Sequence, residues 1–362
     1  MNKQSFSIIG SNGVPAEYGG FETLAENLVH NLIDDYRMEV FCSKPNQSVE
    51  LREYNGAKLT YLPLKANGWQ SFFYDFFSTI KAFFTSDILL ILGPSCGLIL
   101  PLNMLFKRIV MTNHGGLNEW ERESYSPFKR RFSWLNHYVA AKFSNINIVD
   151  NIELQKSLRK NFKAKSIVIR YGGDHVLTSK QIDYSSKYNF CKSKYFLCVA
   201  RAQIDNNLHV LLEAFKSSPK KTLVIVSNWV VSEYASDLRN QYKDCNNIYM
   251  LDAVYNQSEL NFIRRNAYCY IHSHSRCGTA PSLVEAMMLG LPVISYDCAT
   301  NRETTQNCAS YFTDVDSLMS VIERLNEKDI LDLKQKLFNI ACKDFIWSNI
   351  AKQYSDSVIN KN

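Results

Sequence analysis

The chain has 362 residues, of which 46% are hydrophobic and 21% charged. This composition excludes a disordered chain, and the length predicts two domains. The formal charge of +6 suits phosphorylated substrates or an anionic membrane surface, and it is too weak to predict a nucleic-acid partner. The ten cysteines include no C-x-x-C pair, which is typical of reduced thiols in a cytosolic protein.

The chain begins with a buried strand and a glycine-rich loop over residues 10–20, and no signal peptide is expected before them. Strand, loop and helix in this order are typical of dinucleotide sites, but Asn12 breaks the G-x-G-x-x-G spacing. The next strand, 38–42, is followed by no acidic residue to hold a ribose, so a nicotinamide cofactor is disfavoured. Gly19 and Gly20 still permit a phosphate or sugar to approach the helix start, although a tight turn alone would explain them.

Strands and helices alternate through the first half of the chain, which predicts a parallel, doubly wound sheet. Residues 88–106 are almost wholly apolar and long enough for a membrane span. Their glycines and prolines instead favour a buried strand at 88–92, then a turn and a helix. This segment therefore needs no membrane.

A polar loop follows the strand at 108–112, at the sheet edge where ligands of such folds bind. His114 stands there beside two glycines and is a candidate site residue, although a lone histidine is more often structural. Glu119 and Trp120 continue the loop, and we expect them to offer contacts to a sugar.

Residues 128–143 contain both basic and aromatic residues, and 154–170 carries six basic residues and no acidic one. Such a surface favours peripheral binding to anionic lipid. A solvated helix face is the alternative.

The alternation restarts after a polar segment, 178–194, which we predict to be the interdomain linker. Arg201 lies at the carboxyl end of a strand over 195–200, where a guanidinium is placed to clamp a diphosphate. A surface ion pair is the alternative. A last helix over 345–359 follows the second sheet, and we expect it to fold back on the first domain.

The stretch 272–287 joins a buried strand to an apolar helix and is the strongest candidate site. Pro281 suits the first helical turn, and Gly278 and Thr279 before it leave N–H groups for an anion at the helix N-terminus. Glu285, one turn in, offers a carboxylate to two neighbouring sugar hydroxyls. An ordinary strand–loop–helix joint with a solvated glutamate is the alternative.

One group of residues has the spacing of metal ligands: Cys269, His272, His274 and Cys277. The two histidines would point to the same side only in an extended chain, and the Ser/Gly-rich sequence argues against that conformation. No second ligand cluster elsewhere would complete a site, so no metal ion is predicted.

Several motifs resemble those of GT-B-fold, retaining, nucleotide-sugar-dependent glycosyltransferases of family 4. Residues 13–23 (GVPAEYGGFET) resemble the signature of the bacterial rhamnosyltransferase-like subgroup, domain of unknown function 1972. Further segments are similar to that subgroup: Arg201 with 205–207, then 278–287 and 301–304. The resemblance covers nearly the whole chain.

The resemblance implies an α/β architecture, the GT-B fold, in which two doubly wound Rossmann-like domains face a central cleft. An N-terminal acceptor domain would span residues 1–175, with a C-terminal helix over 345–362 crossing back to it. A nucleotide-sugar-binding domain would span residues 190–344.

The resemblance also assigns roles to residues. Arg201 would hold the diphosphate, Glu285 the nucleotide ribose, and His114 would lie by the donor sugar. The other implied contacts to the donor are Gly19, Gly20, Asn206, Gly278, Thr279, Pro281 and Ser282, and those to the acceptor are Glu17, Tyr18, Glu119 and Trp120. Many family 4 enzymes have a glutamate where this chain has Cys277 and a lysine where it has Asn206, which leaves Arg201 as the main charge on the diphosphate.

We therefore expect a retaining glycosyltransferase that moves a sugar, with rhamnose as the candidate, from a nucleoside diphosphate to a growing bacterial surface glycan. The acceptor is expected to be a lipid-linked glycan or an oligosaccharide, and the protein to be cytoplasmic and peripheral on the inner face of the membrane. No cofactor and no metal ion are expected. Two alternatives stay open: a nucleotide-sugar epimerase of the same fold, with His114, Glu119 and Glu121 as acid–base candidates, and a non-catalytic membrane-associated partner of a polysaccharide assembly complex.

Overall fold

The computed structural model describes residues 3–16, 19–44, 50–66, 68–116, 118–122, 125–230 and 232–361. The chain divides into two compact units, Met1–Tyr171 with Trp347–Asn362 and Gly172–Ile346. Each unit has a sheet of mainly parallel strands flanked by helices, which confirms the predicted α/β fold class.

The first unit is built on an eight-stranded sheet. Its strands are β1 (Ser5–Ile9), β2 (Arg37–Ser43), β3 (Glu53–Tyr54), β4 (Ala57–Leu62), β5 (Ile88–Leu92), β6 (Ile109–Asn113), β7 (Ile146–Val149) and β8 (Ile167–Val168). Their order is β3-β4-β2-β1-β5-β6-β7-β8, and all neighbours are parallel except β3 with β4. The central strands β1 and β5 are fully buried because helices cover both faces of the sheet, and β5 is a continuous apolar run.

The helices of this unit before β8 are amphipathic or capped as their sequences suggest. They are α1 (Gly20–Leu32), α2 (Ser71–Thr85), α3 (Asn103–Phe106), α4 (Pro127–Phe143) and α5 (Ile152–Phe162). Ser126 starts α4 because its hydroxyl accepts the N–H of Lys129, and Asn151 starts α5 in the same way. Each side chain satisfies an N–H group that the helix itself leaves without a partner.

The apolar stretch 88–106 forms a strand and short helical turns, as predicted from the sequence. After β5 it continues as a 3-10 turn, Gly97–Leu102, and then α3. A side chain at Gly97 would place its Cβ 2.0 Å from the carbonyl oxygen of Asn136, so glycine lets the turn lie directly on α4. Within the described residues, no helix is both long enough and apolar enough to cross a membrane.

The second unit is built on a six-stranded sheet whose neighbouring strands are all parallel. Its strands are β9 (Tyr195–Val199), β10 (Thr222–Val226), β11 (Ile248–Leu251), β12 (Cys269–His272), β13 (Val293–Tyr296) and β14 (Ser310–Phe312), in the order β11-β10-β9-β12-β13-β14. Its helices are α6 (Leu208–Lys216), α7 (Glu233–Tyr242), α8 (Gln257–Arg265), α9 (Pro281–Met288), α10 (Ala299–Thr304), α11 (Val315–Arg324) and α12 (Glu327–Asp344).

The segment 178–194 belongs to the second unit, so the prediction that it is an interdomain linker is wrong. Tyr188 and Phe190 are buried in the core of that unit, and the Phe190 ring lies 5.1 Å from the ring of Tyr195. The Tyr188 hydroxyl also donates to Glu259 at 2.7 Å. The first unit ends at Tyr171 and the second begins at Gly172. Segment 178–194 is held to the second unit because Tyr188 and Phe190 are buried in its core, although most of the segment is polar.

The last helix, α13 (Trp347–Ile359), is part of the first unit. It packs against α1, and Trp347 and Ile350 are buried in the core there. The Tyr354 hydroxyl accepts a hydrogen bond of 3.1 Å from the side-chain amide of Asn113, at the end of β6. The first unit is therefore closed by residues from both ends of the chain.

Candidate functional site

The loop between β12 and α9 lies at the carboxyl edge of the second sheet. β12 ends at His272, and the ring of Pro281 occupies the first position of α9. Gly278 and Thr279 are buried just before the helix, and Ser282 is half-buried in its first turn. A helix start has N–H groups that point outward and a positive dipole end, so this loop suits an anion.

A second loop, between β9 and α6, is tied to the first by hydrogen bonds. The Ser273 hydroxyl donates to the carbonyl of Asn206 at 2.5 Å, and the N–H of Ser275 donates to the carbonyl of Asp205 at 3.0 Å. The side-chain amide of Asn206 donates to the carbonyl of Arg201 at 2.7 Å. Asn206, a predicted donor contact, thus holds the loop that carries Arg201.

Arg201 is exposed on that loop. Its charge is close enough to His274 to act on the imidazole: burial first, and then the positive charge of Arg201, lower the pKa of His274 to about 3. The structure therefore brings Arg201 and the 272–282 loop together at one edge of the sheet. A guanidinium beside a helix N-terminus is the combination that would neutralise a diphosphate.

Glu285 is buried, and its two oxygens have partners within the second unit. Oε2 accepts from the Arg264 guanidinium, and Oε1 lies 3.1 Å from Nε2 of His175. Burial raises the pKa of Glu285, but the charge of Arg264 and the bond from His175 outweigh it and lower the pKa below its usual value. The carboxylate is therefore held ionised and fixed in orientation.

Sequence reasoning missed both partners of Glu285. Arg264 lies on the apolar face of α8 with 2% of its side chain exposed, next to the buried Ile263. A cation on an apolar helix face needs a buried carboxylate, and that pattern could have predicted an ion pair. Two residues before His175, a Cβ at Gly173 would lie 2.7 Å from Cγ1 of Val284, so glycine permits the close contact of this segment with α9.

Three of the four residues with metal-like spacing converge. Ligand atoms of His272, His274 and Cys277 all lie within 4.8 Å of one another. The expectation that the two imidazoles would diverge is wrong, since their ring centroids are 4.4 Å apart. Cys269 points elsewhere, because its thiol donates to the carbonyl of Pro292 at 3.3 Å. Burial lowers the pKa of His272 and of His274, so both imidazoles are neutral.

In the first unit, His114 is buried directly after β6. Its Nε2 lies 2.8 Å from Oδ1 of Asn147, whose amide nitrogen donates to the carbonyls of Ala141 and Lys165. That arrangement fixes Oδ1 as an acceptor, so Nε2 carries the proton and Nδ1 is an acceptor. Nδ1 has no hydrogen-bond partner among the described residues. Burial lowers the pKa of His114 to about 4.

The glycine-rich loop of the first unit is packed tightly at the edge of its sheet. Gly10 has a φ of +94°, and a Cβ there would lie 2.3 Å from the carbonyl oxygen of Leu92, so only glycine fits. Gly19 and Gly20 begin α1. Glu22 in the first turn accepts two hydrogen bonds of 2.8 Å from Asn12, its backbone N–H and its side-chain amide.

Of the predicted acceptor residues, Glu17 and Tyr18 lie outside the described residues. Glu119 is half-buried and forms an ion pair of 3.1 Å with Arg122. Trp120 is 8% exposed and packs in a core cluster, where its ring lies 5.1 Å from that of Phe162. Its indole therefore stabilises the first unit.

Asp75 is a further buried acid that sequence reasoning did not single out. It lies on α2 and accepts a hydrogen bond from the hydroxyl of Ser95, in the loop after β5. Burial raises the pKa of Asp75 to about 7, although the bond from Ser95 opposes the rise. In the sequence Asp75 is a single acidic residue in an aromatic-rich helix, and that pattern does not indicate a raised pKa.

Comparisons with known proteins match both halves of the chain. Residues 3–174 match the family model "Domain of unknown function (DUF1972)", and residues 181–335 match "Glycosyl transferases group 1". An uncharacterized glycosyltransferase of Methanocaldococcus jannaschii is 23% identical over 291 residues, which cover 72% of this chain and 71% of the relative.

Solved structures resemble the whole chain. Sucrose-phosphate synthase from Thermosynechococcus elongatus has a TM-score of 0.83 and 14% identity, with 99% of each chain covered. Anabaena HepE in complex with UDP and glucose has a TM-score of 0.75 and 14% identity, covering 99% of this chain and 100% of that one. The catalytic domain of Arabidopsis thaliana starch synthase IV, bound to ADP and acarbose, has a TM-score of 0.74 and 13% identity, covering 100% and 99%.

At these identities the structural likeness shows the fold, which is GT-B. The group 1 model matches the unit in which Arg201, Glu285 and the start of α9 lie. The chain is therefore a glycosyltransferase of the GT-B fold, with a group 1 glycosyltransferase domain in its second unit.

Proposed function

We propose that this glycosyltransferase moves a sugar, with rhamnose as the candidate, from a nucleoside diphosphate to a lipid-linked glycan with retention of anomeric configuration. The observation that carries the donor class is the junction of two loops in the second unit. The Arg201 loop is hydrogen-bonded to the loop that leads into α9, one turn before the buried carboxylate of Glu285. HepE bound to UDP and starch synthase IV bound to ADP, which share the fold, support a nucleotide donor.

The proposed chemistry is front-face displacement. The bond from the anomeric carbon to the diphosphate oxygen breaks, and the acceptor oxygen bonds to that carbon on the same face. The acceptor proton goes to the departing diphosphate oxygen, so no base on the enzyme is required. Arg201 and the N–H groups around Gly278 and Thr279 would stabilise the charge that develops on the leaving group.

Glu285 is the proposed acceptor for the ribose hydroxyls. Arg264 and His175 support this role because they keep the carboxylate ionised and fixed before a ligand arrives. A carboxylate oxygen has two lone pairs, so it can accept a ribose hydroxyl and keep its internal partner. His114, with its neutral imidazole and buried acceptor nitrogen, remains the proposed contact to the donor sugar on the strength of the resemblance.

Nucleotide binding tests the donor proposal. We expect the melting temperature of the protein to rise with one of dTDP, UDP, GDP and ADP and to stay unchanged with NAD, since a ligand of the folded state stabilises it by mass action. Arg201→Ala should lose the shift. Arg239→Ala is the matched control, because Arg239 is a surface arginine of the same unit and pairs with Asp252. A shift that survives in Arg201→Ala would refute the assigned diphosphate contact, and no shift with any nucleotide would refute the donor class.

A lipid-linked acceptor calls for a surface that meets a membrane, and the first unit has an apolar–basic face formed by α2, the 3-10 turn, α3 and α4. Ring contacts join these elements: Phe72 to Phe132 at 5.5 Å and Phe84 to Phe106 at 4.8 Å. The exposed apolar side chains on them are Phe73, Phe77, Phe84, Leu98, Leu102, Met104, Leu105, Phe128, Trp134, Leu135, Tyr138 and Phe143. Apolar patches of this extent mark interaction sites.

The same face is cationic. Its exposed basic residues are Lys81, Lys107, Lys129, Arg130, Arg131 and Lys142, and α4 contains no acidic residue. A pocket of about 360 Å³ in this face is lined by both kinds of group, with Met104 and Phe143 beside Lys107 and Arg108. Aromatic side chains that enter the interface, together with cations that meet anionic headgroups, are the features of peripheral binding that we propose here.

Vesicle binding tests this surface. We expect the protein to sediment with vesicles that contain phosphatidylglycerol and to bind phosphatidylcholine vesicles more weakly. Leu105→Glu, at a side chain that is 77% exposed, should weaken binding by at least about tenfold, because transfer of a leucine side chain contributes about 1.5–3 kcal/mol. Leu331→Glu is the control, at a leucine of α12 that is 70% exposed. Equal losses in the two variants would overturn the assignment of the face.

A further inference from the structure

The three converging side chains in the loop before α9 have the chemistry of a metal site. His272 is the last residue of β12, and His274 and Cys277 follow it at spacings of two and three residues. Their ligand atoms lie within 4.8 Å of one another, and Sγ of Cys277 is 4.0 Å from Nε2 of His272. The ligand atoms around one tetrahedral ion lie somewhat closer together than 4.8 Å, so small movements of these three side chains would complete the geometry.

A ring nitrogen of the cluster adds an observation beyond proximity. Nε2 of His274 is buried without a hydrogen-bond partner among the described residues, although buried ring nitrogens are normally satisfied. Asn301 also holds the thiol in place: its side-chain amide donates to the carbonyl of His274 at 2.9 Å, and its Oδ1 accepts from Sγ of Cys277 at 3.4 Å. One residue therefore fixes two members of the cluster.

We infer that His272, His274 and Cys277 bind one zinc-class divalent ion. Two imidazoles and one thiolate form a ligand set of the nitrogen and sulfur type that Zn²⁺ prefers. Three protein ligands leave a fourth position for water or a phosphate oxygen, and binding releases the thiol proton. The ion would link the end of β12 to the residue before Gly278 and so fix the loop that leads into α9. Metal binding at this cluster rests on no part of the proposed transfer.

Cobalt substitution tests the site in the full-length protein. We expect one Co²⁺ per chain to give a thiolate-to-cobalt charge-transfer band, and one equivalent of Zn²⁺ to remove it. Cys277→Ala should lose the band, and the affinity for Zn²⁺, measured by competition with a chromogenic chelator, should fall by at least about 10–100-fold. His274→Ala should lower the affinity for Zn²⁺, and this variant keeps every thiol of the chain.

Cys298→Ala is the matched control, because Cys298 lies in the same neighbourhood, with its thiol 3.9 Å from the carbonyl of His274. It should keep the band. A melting curve of each metal-free variant shows whether it is folded, and Cys277→Ser replaces Cys277→Ala if that variant is not. The proposal fails if the wild-type protein gives no band, if the band survives in the folded Cys277 variant, or if Cys298→Ala loses it as well. The proposed nucleotide donor is tested separately by melting temperature, so either proposal can fail while the other holds.

Discussion

The two units share a doubly wound plan but treat their polar groups in different ways. In the second unit a buried charge, Glu285, is paired with Arg264, and the loops at the sheet edge are tied to one another through Asn206 and Ser273. In the first unit burial holds His114 and Asp75 toward their neutral forms, as it does His272 and His274 in the second unit. The outer surface of the first unit is instead rich in exposed aromatic and basic side chains.

This difference indicates a division of tasks. A fixed carboxylate and interlocked loops cost no reorganisation when a charged ligand arrives, which suits a donor site. An apolar surface with cations gains free energy only when it meets another apolar and anionic surface. Substitutions in the two units should break this contrast, with effects that decrease from the buried ion pair to a single surface cation.

Breaking the buried ion pair should have the largest effect. We expect Arg264→Leu to lower the free energy of unfolding by about 3–5 kcal/mol, because Glu285 would be left as an unpaired buried charge. The double variant Arg264→Leu, Glu285→Gln should recover part of this loss. Denaturant unfolding measures both, and Arg239→Leu, at an exposed pair, should change little. A small effect of Arg264→Leu would mean that the carboxylate is not held as the structure shows.

Removing the exposed charge at the site should affect binding and leave stability unchanged. We expect Arg201→Ala to weaken nucleoside diphosphate binding roughly 10–150-fold, the range that corresponds to the loss of a charge-assisted hydrogen bond of about 1.5–3 kcal/mol. Arg201→Lys should recover only part of the affinity, because an ammonium cannot form the paired hydrogen bonds of a guanidinium. Isothermal titration measures the affinities, and equal binding by the three proteins would contradict the assigned contact.

Asp75 gives the first unit a pH dependence of its own. Its pKa rises from 3.8 to about 7 on folding, so the folded state binds the proton more tightly. Stability is then highest below about pH 4 from this group and falls as the pH rises toward 7, by at most about 4 kcal/mol. We expect Asp75→Asn to remove this decline and to raise stability at pH 8 by roughly 2 kcal/mol, since an amide leaves no charge to desolvate.

Unfolding of the wild-type protein and Asp75→Asn at pH 5 and pH 8 measures this effect. The Asp87→Asn variant is the control, because hydrogen bonds from Ser5 lower the pKa of Asp87 and its contribution to stability is therefore constant between pH 5 and pH 8. Parallel pH profiles for wild-type protein and Asp75→Asn would show that Asp75 is ionised in the folded unit.

The smallest expected effect is that of a single surface cation. We expect Arg131→Gln to weaken binding to anionic vesicles about fivefold, since each basic residue near the surface contributes about 1 kcal/mol. The difference should vanish at high salt, where the attraction is screened. Lys220→Gln, a basic surface residue of the second unit, should not change vesicle binding. If both variants lose affinity equally, the cations of the two units would not differ in function.

Sequence patterns predicted most of the fold and part of the candidate site. Apolar runs bounded by glycine and proline predicted the strands. Arg201 and Pro281 were proposed as site residues because they lie at a strand end and at a helix start, and the structure places them there. These are short-range signals, carried by neighbours in the chain. The same logic failed at 178–194, where Tyr188 and Phe190 outweigh a polar composition by packing with residues that are distant in sequence.

The chain by itself determined the α/β alternation and the residues at the carboxyl edges of its sheets, because hydrophobic periodicity and backbone preferences act over a few residues. Only the tertiary structure decided how those residues are used. The partners of Glu285 lie 21 and 110 positions away, at Arg264 and His175, so no local pattern could pair them. The imidazoles of His272 and His274 converge because the loop bends onto its neighbour, and that contact depends on the folded edge of the sheet.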